Sequence, residues 1–234
     1  MKTTNPKEKM LSEIARVDEN GVFIVPEGIE IITGDVTYPS DLRRLILPES
    51  VKSVERLAFQ GCTTLESVEG GSISKIGAYS FSGCTSLVRF NFVHNSEIGN
   101  GAFSECAFTG LSLESCKLQS KAFEGCKRLK CVIMDESTTT EYDTFDECTT
   151  IESFIYSGTE YEAFCIKGVC LIIKKRYIVD GIDVIEAMHA DDLSNPTTRI
   201  FVCSKDGVWE SDNNIRGCIR KLERKIGISS LYGE

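Results

Sequence analysis

Cysteine is the residue type whose number and spacing in this chain could most readily do chemistry. The 234 residues include eleven cysteines, and five of these close short blocks that begin with phenylalanine. The blocks are Phe59-Gln60-Gly61-Cys62, Phe81-Ser82-Gly83-Cys84, Phe103-Ser104-Glu105-Cys106, Phe123-Glu124-Gly125-Cys126 and Phe145-Asp146-Glu147-Cys148. Zinc sites draw their thiolates from closely spaced pairs such as Cys-x-x-Cys, which these blocks lack. We interpret the cysteines as free, buried thiols of a reducing compartment, with a disulfide framework as the alternative.

Cys165 and Cys170 form a second cysteine pattern, on either side of a predicted turn at Lys167-Gly168. Two cysteines that flank a hairpin turn could form a disulfide or bind a metal ion. No second pair with metal-binding spacing follows them. We favour their interpretation as buried strand residues.

The other chemically capable residues are isolated from one another. His94 and His189 lie in different segments without nearby ligands, and Asp191-Asp192 is a pair of adjacent carboxylates of the kind that loops expose to water. The sequence contains no glycine-rich phosphate loop, nucleophile elbow or Walker-type lysine. We predict no catalytic residue, no metal ion and no cofactor, and so a protein that is not an enzyme. A small catalytic domain after residue 157 stays open.

The chain is acidic, with a formal net charge of −9. Residues 157–234 hold 11 basic and 12 acidic side chains, so residues 1–156 hold 15 basic and 23 acidic ones, a net charge of −8. This balance disfavours binding to a nucleic-acid backbone, which needs clustered Lys and Arg. A regulatory or nucleic-acid-associated role is the alternative function, and a solvated helix face is the simpler interpretation of the basic residues that suggest it. These are Lys174, Lys175, Arg176, Arg216, Arg220, Lys221, Arg224 and Lys225.

A repeat positions these residues. The phenylalanines of the five blocks are 22, 22, 20 and 22 residues apart. An apolar-x-x-apolar-x-apolar pattern recurs after the cysteines and once before them, which is typical of a leucine-rich strand. Its members are Leu42, Leu45, Leu47; Leu65, Val68, Gly70; Leu87, Phe90, Phe92; Phe108, Leu111, Leu113; Leu129, Val132, Met134; and Ile151, Phe154, Tyr156. A unit this short cannot bury its apolar side alone, so we expect stacked units with parallel strands about 4.8 Å apart.

The repeat extends toward the N-terminus in degenerate form. Pro26-Glu27-Gly28-Ile29 and Pro48-Glu49-Ser50-Val51 are 22 residues apart, which predicts a first unit that begins near Val22. A further pair of apolar residues, Val51 with Val54 and Ile73 with Ile76, lies between each strand and the next phenylalanine.

The combined pattern resembles the BspA-like leucine-rich repeat family. It is carried by Val51-x-x-Val54-x-x-x-Ala58-Phe59-x-Gly61-Cys62-x-x-Leu65 and by Ile73-x-x-Ile76-Gly77-x-x-x-Phe81-x-Gly83-Cys84-Thr85-Ser86-Leu87, and the resemblance covers residues 22–157. It implies a right-handed solenoid used in adhesion and protein recognition, on bacterial or protist surfaces in many members and in phage or inside cells in others. The first residues show no secretory signal, and no apolar run is long enough to span a membrane. We expect a cytoplasmic protein without membrane insertion, with a cell-surface or secreted location as the alternative.

The segments outside the repeat complete the predicted fold class, an α+β chain. Residues 1–21 are expected to form a helical cap, with Asn5 as the N-cap of a helix from Pro6 to Arg16. Residues 158–234 are expected to form a small C-terminal α+β domain that follows the right-handed leucine-rich repeat β-solenoid of residues 22–157. Its predicted elements are a hairpin of Tyr161–Ile166 with Val169–Ile173, a strand at Tyr177–Val179, a short helix from Asp183 to Met188, a hairpin of Arg199–Cys203 with Val208–Glu210, and a last helix capped by Asp212 or Asn213.

The repeat strands predict where a partner would bind. Alternate residues of each strand point outward and form two columns on the concave sheet. From these columns we select Arg44, Ile46, Glu69, Arg89, Asn91, Ile133 and Ile155 as candidate binding residues. Ile133 and Ile155 form an apolar pair, which suggests a recognition surface between the last coils and the C-terminal domain. The function that we predict is non-catalytic protein–protein recognition, with another protein of unknown identity as the partner.

Overall fold

A computed structural model describes residues 17–34, 38–141, 143–166, 169–179, 182–189, 200–205 and 208–226. The chain winds into a right-handed β-solenoid of about six turns. Each coil contributes two strands, the first of two to four residues and the second of two residues, and the two kinds alternate along the repeat. The strands are β1 Val22–Ile24, β2 Ile31–Ile32, β3 Arg44–Leu47, β4 Ser53–Val54, β5 Ser67–Gly70, β6 Lys75–Ile76, β7 Arg89–Phe90, β8 Glu97–Ile98, β9 Gly110–Ser112, β10 Lys117–Leu118, β11 Cys131–Met134, β12 Thr139–Thr140 and β13 Ser153–Tyr156.

The predicted strands and their parallel stacking are confirmed. The even-numbered strands β2 to β12 form one parallel sheet, and the odd-numbered strands form the other side of the solenoid. The register advances by one repeat per coil, for example from Val22 to Arg44 to Ser67 to Arg89. The pairing of β1 with β3 confirms the degenerate first unit near Val22.

The repeated phenylalanines stack in a ladder through the core. Neighbouring rings lie nearly parallel, with centroids 5.1 Å apart for Phe59 and Phe81, and 5.2 Å apart for Phe81 and Phe103. Phe123 and Phe145 continue the ladder at 5.5 and 5.8 Å. Tyr38 begins it, stacked 4.3 Å from Phe59, although it lies outside the Phe-x-x-Cys pattern. Neighbouring rings shield each other from water, so burial and ring stacking both stabilise the packing of one coil on the next.

The residue before each cysteine turns the chain through a left-handed conformation. Gly61, Gly83 and Gly125 have φ of 72°, 74° and 68°, and Glu105 and Glu147 adopt φ of 62° and 60° at the same position. Glycine reaches this region without the steric cost that a Cβ atom adds.

The cysteine that follows this turn points inward. The thiol of Cys84 donates to the carbonyl oxygen of Phe59 at 3.2 Å, and the Cys106 and Cys126 thiols donate to Phe81 and Phe103 at 3.3 Å. The turn thus places a small buried side chain whose one donor is satisfied by the preceding coil.

The strands after β13 continue the same sheet. They are β14 Thr159–Ile166, β15 Val169–Val179, β16 Ile182–His189, β17 Ile200–Lys205 and β18 Val208–Asp212. β14 pairs antiparallel with β13, and the meander ends an eight-stranded sheet of order β18-β17-β16-β15-β14-β13-β11-β9. The sheet of the solenoid therefore continues through β14 to β18, and the predicted separate C-terminal α+β domain is not supported.

Several predicted elements of this region are confirmed and one is wrong. The hairpins β14–β15 and β17–β18 form as expected, and β15 runs on through Tyr177–Val179. The predicted helix from Asp183 to Met188 is instead strand β16, because this segment pairs with a strand on each side.

The C-terminal helix α1, Ile215–Ile226, is the one helix in the described part of the chain. Its N-cap is Asn214, whose Oδ1 accepts the Gly217 N–H at 2.7 Å, and not the expected Asp212 or Asn213. The predicted N-terminal helix, Pro6 to Arg16, lies outside the described residues.

The left-handed turn gives a paired stability prediction. Replacing Gly83 by Ala should destabilise the fold by about 1 kcal/mol, because the added Cβ meets only ordinary contacts and the cost is conformational. Replacing Glu147 by Gly should stabilise it by up to about 1 kcal/mol for the same reason. Urea unfolding midpoints check both signs, with Gln60→Ala as the neutral neighbour control; changes of the same sign would contradict the assignment.

Candidate functional site

The outward side chains of the odd-numbered strands β1 to β13 lie on one side of the solenoid, which we call the long-strand face. Arg44 and Arg89 are exposed on it, as is Asn91 just beyond β7, while Ile46 and Glu69 are half-buried. Ile133 and Ile155 are also half-buried and lie opposite each other in the β11–β13 register. The structure therefore places all seven predicted binding residues on one side of the molecule, and their role in binding stays a prediction.

A cross-coil ion pair orders the first part of this face. Arg44 donates to both carboxylate oxygens of Glu69 at 3.1 and 3.2 Å, and the Ser67 hydroxyl donates to Glu69 at 2.9 Å. Hydrogen bonds from Arg44 and Ser67 hold the pKa of Glu69 below its usual value. Ser67, expected to be exposed in the same column, is buried beneath this pair.

The long-strand face is divided in two by a break in its sheet. Strands β1, β3, β5 and β7 form a four-stranded sheet that ends at β7, whereas β9 begins the eight-stranded sheet. β7 has two residues, while β3, β5, β11 and β13 each have four.

A shortened coil explains the break. In four coils the N–H three residues after the cysteine donates to that cysteine's carbonyl, as Leu87 does to Cys84 at 2.9 Å. Cys106 is followed by Phe108 after two residues instead of three, so this turn cannot form there. Ala107 donates instead to Leu87 of the preceding coil at 3.0 Å. The missing residue shifts β9 out of the position in which it would pair with β7.

Large aromatic side chains line the break. This region carries Phe90, Phe92 and Phe108 at the inward strand positions, whereas most other coils carry aliphatic residues there and the last coil carries Phe154 and Tyr156. Phe90 and Phe92 meet Phe103 of the core ladder edge-on, at 4.8 and 5.3 Å between ring centroids. Phe108 is fully buried, whereas Phe90 and Phe92 are only half-buried. The rings therefore fill the core beneath the break and leave part of their surface exposed in it.

The break forms a cleft of about 600 Å³, which we call the aromatic cleft. Phe90, Phe92 and Phe108 line its floor, and its rim is polar. The rim residues are Glu69, Arg89, Asn91, His94, Ser112 and Glu114. The Nδ1 atom of His94 lies 3.9 Å from the Glu114 carboxylate. A cleft of this size with an apolar floor and a few polar groups has the character of a ligand-binding site.

The aromatic cleft brings together three of the predicted binding residues, Glu69, Arg89 and Asn91. Arg44 is joined to them through Glu69. Ile133 and Ile155 lie beyond the break on the other sheet, where β13 pairs directly with β14.

Sequence reasoning missed the cleft itself and its floor. The signal that could have found it is the spacing of 20 residues between Phe103 and Phe123, where the other spacings are 22. The three phenylalanines near this short unit are a second signal, since their volume exceeds that of the residues they replace.

The buried cysteines Cys84 and Cys116 lie in surroundings that disfavour the thiolate form. Burial raises the pKa of the Cys84 thiol to about 12 and that of the Cys116 thiol to about 11, so both are protonated and poor nucleophiles at neutral pH. Nine of the cysteines in the described residues are free, as expected. Cys170 is buried as predicted but is disulfide-bonded, an outcome that our interpretation did not favour.

No three potential metal ligands come together in the part of the chain that the structure describes. His94 is exposed in a turn, as predicted. His189 ends strand β16 and not a helix. The pair Asp191-Asp192 lies outside the described residues.

Several members of the predicted basic patch are already paired. Lys221 bonds to Asp212 at 2.8 Å and Lys225 to Glu210 at 2.7 Å, both within the β18–α1 unit. Arg176 bonds to Glu162 at 2.6 Å, and Lys175 lies 5.1 Å above the ring of Tyr177. These contacts reduce the free positive charge on which a nucleic-acid role would depend. Helix α1 does not have the length and apolar character that membrane spanning requires, and it is the one helix described.

The cleft can be tested through two phenylalanines at equivalent strand positions. Phe154 is fully buried in the intact sheet, and its replacement by Ala should cost about 3–5 kcal/mol. Phe90 already exposes part of its ring to the cleft, so Phe90→Ala should cost roughly half as much. Chemical denaturation of both variants measures the difference. Equal losses would mean that Phe90 is enclosed and that the cleft is closed in solution.

Comparisons with known proteins agree with this architecture. Six copies of the repeat described as "BspA type Leucine rich repeat region" match the chain over residues 21–130 and 58–170. The fold is similar to a leucine-rich repeat protein of T. pallidum, with 24% identity, a TM-score of 0.52, and coverage of 59% of this chain and 69% of that one. It is also similar to a leucine-rich repeat protein of Bacteroides ovatus, with 23% identity, a TM-score of 0.50, and coverage of 59% and 40%. No curated protein matches. The chain belongs to the BspA-type leucine-rich repeat family.

Proposed function

We propose that this protein is a non-catalytic scaffold that recognises another protein through the long-strand face. The observation that carries the proposal is the in-register strand pairing on either side of the break, which presents outward side chains of successive coils on one side of the solenoid. Repeat scaffolds bind through such extended surfaces, because the backbone is held rigid by its neighbours on both sides.

The strands after β13 fit a closing role in this scaffold. Ala163, Cys170, Ile172 and Met188 join the core cluster of the repeat, so they cover the apolar end of the last coil. The antiparallel pairing of β13 with β14 also ends the parallel stacking. We propose that residues 158–234 act as the C-terminal cap, which a solenoid needs to shield its exposed core.

Face-selective capture tests the proposed function. The full chain, immobilised, should retain a specific protein from the source-cell lysate. Replacing Ile155 with Asp should reduce capture at least tenfold, because a charge would replace an apolar side chain in the contact surface. The matched control is Lys75→Glu, which changes an exposed charge on β6 in the opposite sheet and should leave capture unchanged. Quantitative mass spectrometry of the retained proteins gives the readout.

The thermal stability of both variants separates lost binding from lost folding. Ile155 is half-buried in a paired strand, so Ile155→Asp should lower the melting temperature only moderately. Equal capture by the wild type and Ile155→Asp, or equal loss with Lys75→Glu, would count against recognition through the long-strand face.

A further inference from the structure

We propose that the aromatic cleft binds an extended segment of the partner protein, in which a bulky apolar side chain and a carboxylate two residues away face the same side. The inference rests on the proposed function and gives its site and partner chemistry. Three features of the cleft carry it: an accessible aromatic floor, an unpaired positive charge and two strand edges.

The aromatic floor accounts for the apolar side chain. Phe90 and Phe92 lie 4.8 Å apart at a tilt of 40°, and both are half-buried although their neighbours in the ladder are fully enclosed. Half-exposed phenylalanines at the bottom of a cleft retain apolar area that a ligand can cover. A third ring or a long aliphatic side chain would meet their edges and faces in the geometry that aromatic groups prefer.

The charges of the rim account for the carboxylate. Arg43 pairs with Glu66 at 2.8 Å, and Arg44 pairs with Glu69 at 3.1 Å, so these cations are neutralised within the chain. Arg89 lines the cleft and is exposed, and it has no ion-pair partner among the described residues.

Glu69 feels the charges of both Arg44 and Arg89, but its hydrogen bonds go to Arg44 and Ser67. The other rim carboxylate, Glu114, lies 3.9 Å from His94. The Arg89 guanidinium therefore lies beside the apolar floor without a salt bridge among the described residues. A guanidinium in this position can bind a carboxylate by a bidentate, charge-assisted hydrogen bond.

The interrupted sheet accounts for the extended conformation. β7 ends one sheet and β9 begins the next, so each strand turns an edge toward the cleft. Strand edges bind extended chains through main-chain hydrogen bonds, and side chains two residues apart then face the same side. The cleft of about 600 Å³ suits a segment of a few residues.

A defined peptide tests the proposal on the full chain. The probe is a fluorescein-labelled, C-terminally amidated peptide of sequence Gly-Ser-Phe-Ser-Asp-Ser-Gly, and fluorescence anisotropy measures its dissociation constant. We expect saturable binding below about 1 mM, and at least tenfold weaker binding when Phe is replaced by Ala or Asp by Lys in the peptide.

Two variants of the protein place this binding in the cleft. Gly110→Trp should abolish it by filling the cleft, and the fold should tolerate the change because the nearest atom to an added Cβ is the Cys131 carbonyl oxygen at 3.8 Å. Arg89→Glu should reverse the charge preference, so that the Lys peptide binds more tightly than the Asp peptide. Lys75→Glu is the control and should bind like the wild type.

The outcomes separate this proposal from the proposed function. Absence of saturable binding, or binding that neither Gly110→Trp nor Arg89→Glu weakens, would overturn the cleft as the site. If Gly110→Trp also retains the captured partner while Ile155→Asp loses it, recognition through the long-strand face stands and the partner binds beyond the break. Loss of the peptide and of the partner with Gly110→Trp supports both.

Discussion

The structure depends on one geometric requirement: each coil must bring its aromatic ring to within about 5 Å of the ring in the preceding coil. The left-handed residue before each cysteine turns the chain so that the cysteine points inward, as where the Cys84 thiol donates to the preceding coil. This spacing is compatible with the two sheets, because coils whose ring centroids lie 5.1 to 5.8 Å apart are close to the separation of about 4.8 Å between parallel strands. Burial of a continuous aromatic ladder therefore fixes both the pitch of the solenoid and the surface that it presents.

The aromatic cleft shows how little is needed to give such a regular surface a distinct place. One residue fewer after Cys106 removes a turn, and the rings at the adjoining positions line the gap between the strands. The ladder itself is unbroken across this coil, since Phe81, Phe103 and Phe123 keep their stacking. The stacking of the core is therefore kept in this coil, and the loss of strand pairing is confined to the long-strand face.

The repeat could be predicted from the sequence because its periodicity fixes the strands, the core and the stacking direction together. The C-terminal part was harder. Strand β16 is buried on both faces, so its apolar residues recur at spacings that also fit a helix, and only the pairing with β15 and β17 decides between them. The alternation of side chains along a strand placed the seven candidate residues on the long-strand face. Their division by the break was not predicted, because the short spacing after Cys106 locates a missing residue but does not show that the neighbouring strands fail to pair.

The break also has a mechanical meaning. Each of the two sheets of the long-strand face resists bending through the hydrogen bonds between its strands. The sheets meet at β7 and β9, which are not paired with each other. On the other sides of the coils they are joined by the two-residue pairing of β8 with β10, the bond from Ala107 to Leu87 and the ring stack. Main-chain hydrogen bonds between the phenylalanine turns also continue, with the Phe81 and Phe103 N–H groups donating to Ala102 and Ala122 at 2.8 Å. The coils therefore resist bending less on the long-strand face than on their other sides. A chain segment bound in the gap would connect β7 with β9 and so stiffen the long-strand face across the break.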